Sequence, residues 1–174
     1  MDLIETTHLL LRPQAPEELL ALIEQPETYA GLTGYPASPA LRDFMISPDV
    51  SPAWTASLRT MTGPDPWRFG FAVIHRGACT VIGAASFKGP PDSDGIVEIA
   101  YGIVPDYEGR GYATEAARAL VEYAQKNELV RQIIAHTMPV SNASTRVLGK
   151  CGFAFAGEVI DPEDGRVWRW EHAE

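Results

Sequence analysis

The sequence predicts an α/β protein with a mixed sheet. Three observations predict this class: segments rich in β-formers alternate with helical patterns, two pairs of such segments flank short Gly-bearing turns, and a Gly-rich loop joins a strand to an amphipathic helix. The 174 residues suit one domain over 1–174. Hydrophobic residues make up 45% and charged residues 21%, as in folded rather than disordered chains.

The first third of the chain begins with a strand and continues with short helices. Proline ends the strand, opens two helices at their first turn and stops the first of them early. The expected elements are a strand over 8–12, a helix from Pro16 that Pro26 ends, short helical turns within 29–50, and a helix from the N-cap Ser51 to about Met61. The long Gly- and Pro-rich stretch is where binding surface is expected.

The remainder alternates strands and helices. Period-two runs indicate strands, and apolar residues three and four apart indicate helices. The expected elements are strands over 67–74, 79–87 and 96–104, a helix over 113–125, a strand over 130–138, a helix over 143–150, and strands over 153–160 and 167–172. The first two and the last two strands should form hairpins, because a short turn joins each pair.

The net charge bears on partners. Fourteen Lys and Arg face 23 Asp and Glu, which gives a formal charge of −9. Such a field repels phosphate backbones and anionic lipid heads, so nucleic acid and membranes are excluded as expected partners. An amine-bearing or cationic partner is favoured.

The termini and the cysteines point to a cytoplasmic protein without metal or disulfide. Residues 1–5 read MDLIE, acidic where a signal peptide is basic, and no apolar run reaches the length of a membrane span. Cys79 and Cys151 lack CxxC spacing, and His8, His75 and His172 lack the spacing of metal ligands. We therefore expect no metal.

A Gly-rich loop, EGRGYATEA over 108–116, lies between a predicted strand and a predicted helix. Its glycines let backbone amides approach an anion, the helix dipole favours phosphate, and Arg110 and Thr114 could add a charge and a hydroxyl. The loop lacks the lysine of a Walker A motif and the third small residue of a Rossmann fingerprint. A mere connector between strand and helix is the alternative.

With these residues the chain resembles the GNAT superfamily of N-acetyltransferases. The family's pyrophosphate loop, Gln/Arg-x-x-Gly-x-Gly/Ala, matches Glu108-x-x-Gly111-x-Ala113 except at its first position. Three further segments are similar to the branch that acetylates ribosomal-protein N-termini: LLLRP over 9–13, VEIAY over 97–101 and STRVLGKCGF over 144–153. The resemblance implies a GNAT-like three-layer fold, with a mixed, mostly antiparallel sheet of about seven strands, splayed central strands and flanking helices.

The resemblance also implies acetyl-CoA as cosubstrate and assigns residues to it. Loop amides would hold the pyrophosphate, and the strand before the loop would pair with the pantetheine arm. The residues so implied are Gly109, Arg110, Gly111, Tyr112, Ala113 and Thr114 in the loop, and Tyr101, Gly102, Ile103 and Val104 on the strand. Asn142 either contacts the pantetheine arm from a loop shifted by one residue or caps the following helix.

Glu98 is the candidate general base, because a protonated amine must lose a proton before it attacks a thioester. The alternative is a solvated strand glutamate. Many family members carry a tyrosine acid on the closing helix, where Leu148 stands here, so Ser144 is the candidate acid, or else a capping residue. His136 could shuttle protons beside the splay or be structural.

The expected function is acetyl transfer from acetyl-CoA to a primary amine, of a protein N-terminus or a small molecule, by direct attack in a ternary complex. Residues 29–50 and the final hairpin would form the acceptor wall. Two other classes stay open: an acyl-CoA-binding sensor or scaffold without catalysis, and a structural domain without ligand. The terminal hairpin offers a strand edge for a homodimer.

Overall fold

The computed structural model describes residues 3–48 and 50–173, which form eight strands and seven α-helices. The strands are β1 (Ile4–Glu5), β2 (Leu9–Pro13), β3 (Phe71–His75), β4 (Thr80–Phe87), β5 (Ile96–Ile103), β6 (Gln132–Thr137), β7 (Phe153–Asp161) and β8 (Gly165–His172). The helices are α1 (Pro16–Glu24), α2 (Tyr29–Thr33), α3 (Leu41–Met45), α4 (Pro52–Ser57), α5 (Pro66–Phe69), α6 (Tyr112–Gln125) and α7 (Ala143–Lys150).

The strands form one mixed sheet in the order β1-β2-β3-β4-β5-β6-β8-β7. All neighbours are antiparallel except β5 and β6, which are parallel. The predicted mixed, mostly antiparallel α/β class is confirmed. The sheet has eight strands rather than about seven, because the two-residue β1 extends one edge. At the other edge β7 presents the strand predicted for a homodimer, and the dimer itself stays a prediction.

The two parallel strands diverge in the middle of the sheet. They pair only over three registers, from Ile96 opposite Gln132 to Glu98 opposite Ile134. Beyond Glu98, β5 stays paired with β4 as far as Ile103, whereas β6 continues against β8. The predicted splay is therefore confirmed, and it opens beside residues 99–103.

Helices cover both faces of the sheet. On one face α6 buries its apolar stripe, including the fully buried Leu120, against β5 and its neighbours. Period-two alternation places Tyr101 on this face and Gly102 on the other. On the other face Phe44 of α3 covers Gly102, where an added Cβ would lie 3.3 Å from the ring. Arg12 of β2 there forms a two-pronged ion pair with Glu18 of α1.

Two predicted elements were wrong in part. Residues 67–69 were expected to begin a strand, but Pro66–Phe69 is helical, because Asp65 accepts a hydrogen bond from the Trp67 amide and caps a turn that begins with proline. The strand starts at Phe71 instead. The helix expected to reach about Met61 ends at Ser57.

Ser51 occupies the predicted N-cap of α4, but its side chain donates to Glu163 of the β7–β8 turn rather than to the helix. This contact ties α4 to the final hairpin. None of the described helices is long and apolar enough to cross a membrane. Met1 and Asp2, part of the acidic start that the sequence analysis used, lie outside the described residues.

Candidate active site

The start of α6 has the features of an anion-binding site. Gly109 and Gly111 have φ of 74° and 85°, in the left-handed region that favours glycine, and nothing lies within 4 Å of a Cβ added to either. Gly111 is the N-cap, and no side chain caps the helix. The amides of the first turn therefore have no intrahelical acceptor. Exposed amides at a positive helix end fit a diphosphate.

The side chains of this loop take different positions. Glu108 is exposed, and Arg110 is exposed with its guanidinium 5.4 Å from the centre of the Tyr107 ring. Tyr112 hydrogen-bonds His75 of β3 at 2.9 Å, a contact that sequence analysis missed because it treated His75 as isolated. Thr114 is only 8% exposed, so its predicted hydroxyl donor lies largely below the surface.

The outer part of β5 has one free edge. Beyond Glu98 the described part of β6 offers it no register partner, so backbone groups on that side point into the splay. This edge carries the backbone groups of the predicted residues Tyr101 and Ile103 and suits an amide-bearing chain. The carbonyl of Gly102, also predicted, faces Gly83 of β4 instead. Val104 fits less well, because its amide donates to Ile82 at 2.8 Å and its carbonyl accepts from Tyr107.

Glu98 lies at the last paired register before the splay. Its Oε1 accepts from Lys88 Nζ at 3.0 Å and faces His136 Nδ1 at 2.9 Å. The Glu98 side chain is 17% exposed, so it is not a solvated strand glutamate. Burial alone would lower the pKa of Lys88, but the charge and hydrogen bond of Glu98, with Asp164 and Asp161 nearby, raise it. The lysine is therefore charged at neutral pH.

A pair of hydroxyls joins β5 to α7. Tyr101 Oη lies 3.3 Å from Ser144 Oγ and also donates to the Ser144 carbonyl. Burial raises the pKa of Tyr101 to about 12, although the hydrogen bond with Ser144 opposes the shift. Leu148, in the position expected for a tyrosine acid, is fully buried in the core. Ser144 and Tyr101 are thus the hydroxyls that α7 and β5 bring together here.

Asn142 is the N-cap of α7. Its side chain accepts from the Thr145 amide at 3.1 Å, and the Thr145 hydroxyl accepts from the Asn142 amide at 3.0 Å. The capping role, one of the two alternatives for Asn142, is thus present, and Ser144 does not cap the helix. The role of Asn142 toward a pantetheine arm stays a prediction.

The acid and base candidates lie on opposite faces of the sheet. Glu98 shares a face with Gly102, whereas Tyr101 projects from the other face toward Ser144. The splay between β5 and β6 joins the two sides. A thioester entering from the α6 and α7 side would meet a proton donor there and a carboxylate–imidazole pair across the opening.

The remaining reactive side chains have structural surroundings. Cys151 is buried, its thiol donates to the Thr114 carbonyl at 3.6 Å, and burial raises the pKa of that thiol. His8 pairs with Glu115. Trp168 and Trp170 are half-buried and pack against Phe155. Among the described residues no three His, Cys, Asp or Glu side chains are grouped as metal ligands.

The family model described as "Acetyltransferase (GNAT) domain" matches residues 8–154. The chain therefore belongs to the GNAT acetyltransferase family and is an acyltransferase. The uncharacterized N-acetyltransferase YjdG of Bacillus subtilis is 30% identical over 91 residues, which are 52% of each chain. The FsC-acetyl coenzyme A-N(2)-transacetylase of Aspergillus fumigatus is 36% identical over 55 residues, 32% of this chain and 23% of that protein. The match to YjdG thus spans about half the length of that relative.

Solved structures share the fold over nearly the whole chain. A putative ribosomal-protein-serine acetyltransferase from Vibrio cholerae superposes with a TM-score of 0.67 at 17% identity, covering 99% of this chain and 98% of that one. A GNAT-family acetyltransferase from Bacillus anthracis gives 0.63 at 22% identity, covering 98% and 97%. At these identities the likeness shows the fold.

Proposed function

We propose that this chain transfers an acetyl group from acetyl-CoA to a primary amine by direct attack in a ternary complex. The observation that carries the proposal is the start of α6, whose first amides have no intrahelical partner and which follows a strand, β5, with a free edge beyond Glu98, in a chain of the GNAT family. Acetyl-CoA would supply the activated acetyl carbon and a thiolate leaving group.

The residues that would hold acetyl-CoA follow the loop and the free edge of β5. The amides of Gly109 to Ala113 would bind the pyrophosphate, with the Thr114 amide behind them. Glu108 at the family's Gln or Arg position is exposed, so its carboxylate can point away from the phosphates while its backbone keeps the loop geometry. The backbone groups of Tyr101 and Ile103 would pair with the amides of the pantetheine arm, with Gly102 between them paired to β4.

Proton movement would use the two sides of the splay. Glu98 would take part in removing a proton from the acceptor amine. Its largely buried position at the last paired register, next to His136, supports this role. Ser144 would protonate the departing thiolate, supported by its hydroxyl contact with Tyr101. The neutral tyrosine keeps a hydroxyl donor beside Ser144 throughout the neutral pH range.

The acceptor side is acidic. The β7–β8 turn brings Asp161, Glu163 and Asp164 beside Lys88 and Ser51, close to the carboxylate of Glu98. A protonated amine would be attracted to such a rim. Both acceptor classes predicted from sequence suit this charge.

The test is thiol release from acetyl-CoA over a panel of amines, with the acetylated product confirmed by mass. The panel contains spermidine, kanamycin and a short alanine-initiated peptide with a free N-terminus. Turnover of one of them that disappears when the amine is blocked supports the transferase. Acetyl-CoA binding without turnover of any panel amine would contradict it.

A second candidate is an acyl-CoA-binding module that senses the ligand without catalysis. The observation that favours it is Leu148, which fills the place of a tyrosine acid with a buried apolar side chain. Glu98→Gln separates the two candidates. A transferase loses part of its turnover with acetyl-CoA binding intact, whereas a sensor has no turnover to lose.

A further inference from the structure

His136 on β6 and Lys88 both contact the Glu98 carboxylate. These two contacts indicate which of the three groups accepts a proton from the substrate. Lys88 Nζ and His136 Nδ1 both contact Oε1 of Glu98, at 3.0 and 2.9 Å. The oxygen Oε1 of Glu98 is thus already engaged by two side chains and is not open to a substrate ammonium. Glu98 alone is therefore poorly suited to deprotonate an ammonium.

His136 is placed to do so. Glu98 is paired with Ile134, the last register before the splay, and His136 follows two residues later on the same face of β6. Its side chain is 12% exposed. Among the described residues His136 Nε2 makes no hydrogen bond, so with Nδ1 held by Glu98 it is the ring nitrogen open to a substrate.

We infer that His136 Nε2 takes the proton from the acceptor ammonium and that Glu98 positions the imidazole. This inference rests on the proposed function. Donation of the Nδ1 proton to Glu98 fixes the tautomer with a lone pair on Nε2, and the same carboxylate stabilises the imidazolium that forms. His136 is then the catalytic base, Glu98 a positioning residue, and Lys88 a cation that holds the Glu98 carboxylate in place.

The proton balance is complete with these groups. One proton passes from the ammonium nitrogen to His136 Nε2 and then to solvent. The freed nitrogen lone pair forms the C–N bond, and the C–S electron pair leaves with sulfur. The second nitrogen proton is lost as the amide forms, and the thiolate gains one from the Ser144 side. The net products are the acetylated amine, the thiol and one proton.

Other charged groups face the pair from the neighbouring strands. Lys88 also lies 3.7 Å from Asp164 on the β7–β8 turn, and Arg169 stands opposite His136 on β8 with its guanidinium on Glu171. Asp161 of the same turn stays ionised, since backbone hydrogen bonds from Asp164 and Glu163 lower its pKa, helped by Lys88 and His136. Of these groups, Asp161, Asp164, Arg169 and Glu171 are unchanged in every variant below.

The experiment measures kcat against pH at saturating acetyl-CoA, with the panel amine that turns over fastest. His136→Gln should lower kcat by about 100-fold or more and remove the rise of kcat with increasing pH, the ascending limb of the pH profile. Glu98→Gln should move that limb to lower pH, because the imidazolium loses its partner. Lys88→Met should move it to higher pH, because a competing cation is gone. His172→Gln, on β8 and packed against Phe153, is the histidine control and should leave the limb in place.

If His136→Gln keeps the wild-type limb and a kcat within twofold while Glu98→Gln loses the limb, Glu98 is the direct base and the inference is wrong. Nitrogen NMR of the wild-type imidazole tests it without any acceptor or variant. The inference requires the Nδ1–H tautomer of His136 at neutral pH, and the Nε2–H tautomer would overturn it. Failure of the wild type to bind acetyl-CoA would instead contradict the proposed function.

Discussion

Tyr101 Oη lies 3.3 Å from Ser144 Oγ and so joins the free-edged part of β5 to the first turn of α7. The pair stands on the sheet face opposite Glu98, on the side of the α6 loop. Burial raises the pKa of Tyr101 to about 12, so the tyrosine hydroxyl stays protonated at neutral pH. In the proposed reaction, this contact would make the two side chains one proton-donating unit.

Removing either hydroxyl should lower kcat and leave acetyl-CoA affinity nearly unchanged. We expect Ser144→Ala and Tyr101→Phe each to cost less than the about 100-fold of a typical general acid, because a thiolate leaves without full protonation. The double variant should lose little more than either single one, since the groups act together. Tyr123→Phe, a tyrosine packed against Trp67 and Phe71, is the matched control. Losses that multiply in the double variant would show two independent roles.

Alkaline pH should destabilise the fold through two tyrosines. Burial raises the pKa of Tyr29 and of Tyr101 from 10.0 to about 12. In the unfolded chain they ionise at ordinary values, so their contribution is complete below pH about 10 and is lost as the pH rises toward 12. Melting temperatures from pH 9 to 11.5 should fall less steeply in Tyr29→Phe than in the wild type. Parallel curves would show that Tyr29 already ionises in the fold.

Gly111→Ala should weaken acetyl-CoA binding. Its φ of 85° costs an L-residue about 1 kcal/mol or more, and relaxation would turn the first amides of α6 away from the pyrophosphate. KM for acetyl-CoA should rise while kcat at saturation changes little. Gly149→Ala is the control, because this glycine lies within α7 with nothing within 4 Å of an added Cβ. Equal effects of the two substitutions on KM would contradict the assigned role of the loop.

Acidic pH should weaken the contacts that Glu115 of α6 makes with Thr6 and His8. Glu115 accepts from Thr6, the His8 amide and the His8 ring, and these hydrogen bonds lower its pKa although burial opposes them. Its contribution is complete above the unfolded value of about 4.3 and is lost as the pH falls through the lower folded value. Wild-type stability should therefore drop more steeply than that of Glu115→Gln between pH 5 and 3. The same slope for both proteins would show that Glu115 contributes nothing.

The parts of the site that local sequence patterns encode could be predicted. The α6 loop could be predicted because Gly109 and Gly111 stand between a period-two run and an amphipathic helix, and the structure has a strand end and a helix start there. The splay followed from the family resemblance. The capping of α7 was readable too, since Asn142 stands three residues before Thr145.

The contacts that define proton transfer could not be read from sequence. Glu98 and His136 lie on β5 and β6, and Lys88 directly follows β4, so only the sheet register brings Lys88 and His136 to the Glu98 carboxylate. A strand was predicted over residues 67–69 because Trp67 and Phe69 are strong β-formers, whereas the Asp65-Pro66 cap decides the local structure. The Tyr112–His75 contact likewise depends on packing between α6 and β3.

The measurement that tests the central claim most directly is thermal unfolding of the chain with and without acetyl-CoA. A ligand at 100 times its dissociation constant stabilises the fold by about 2.7 kcal/mol. For a chain of this size that is a rise in Tm of about 5 to 10 °C. Analogues without the pantetheine arm or the 3′-phosphate show which part is bound. The account predicts a clear rise that needs the pantetheine arm. No rise at millimolar acetyl-CoA would contradict the cofactor site and leave the Gly-rich loop as a connector.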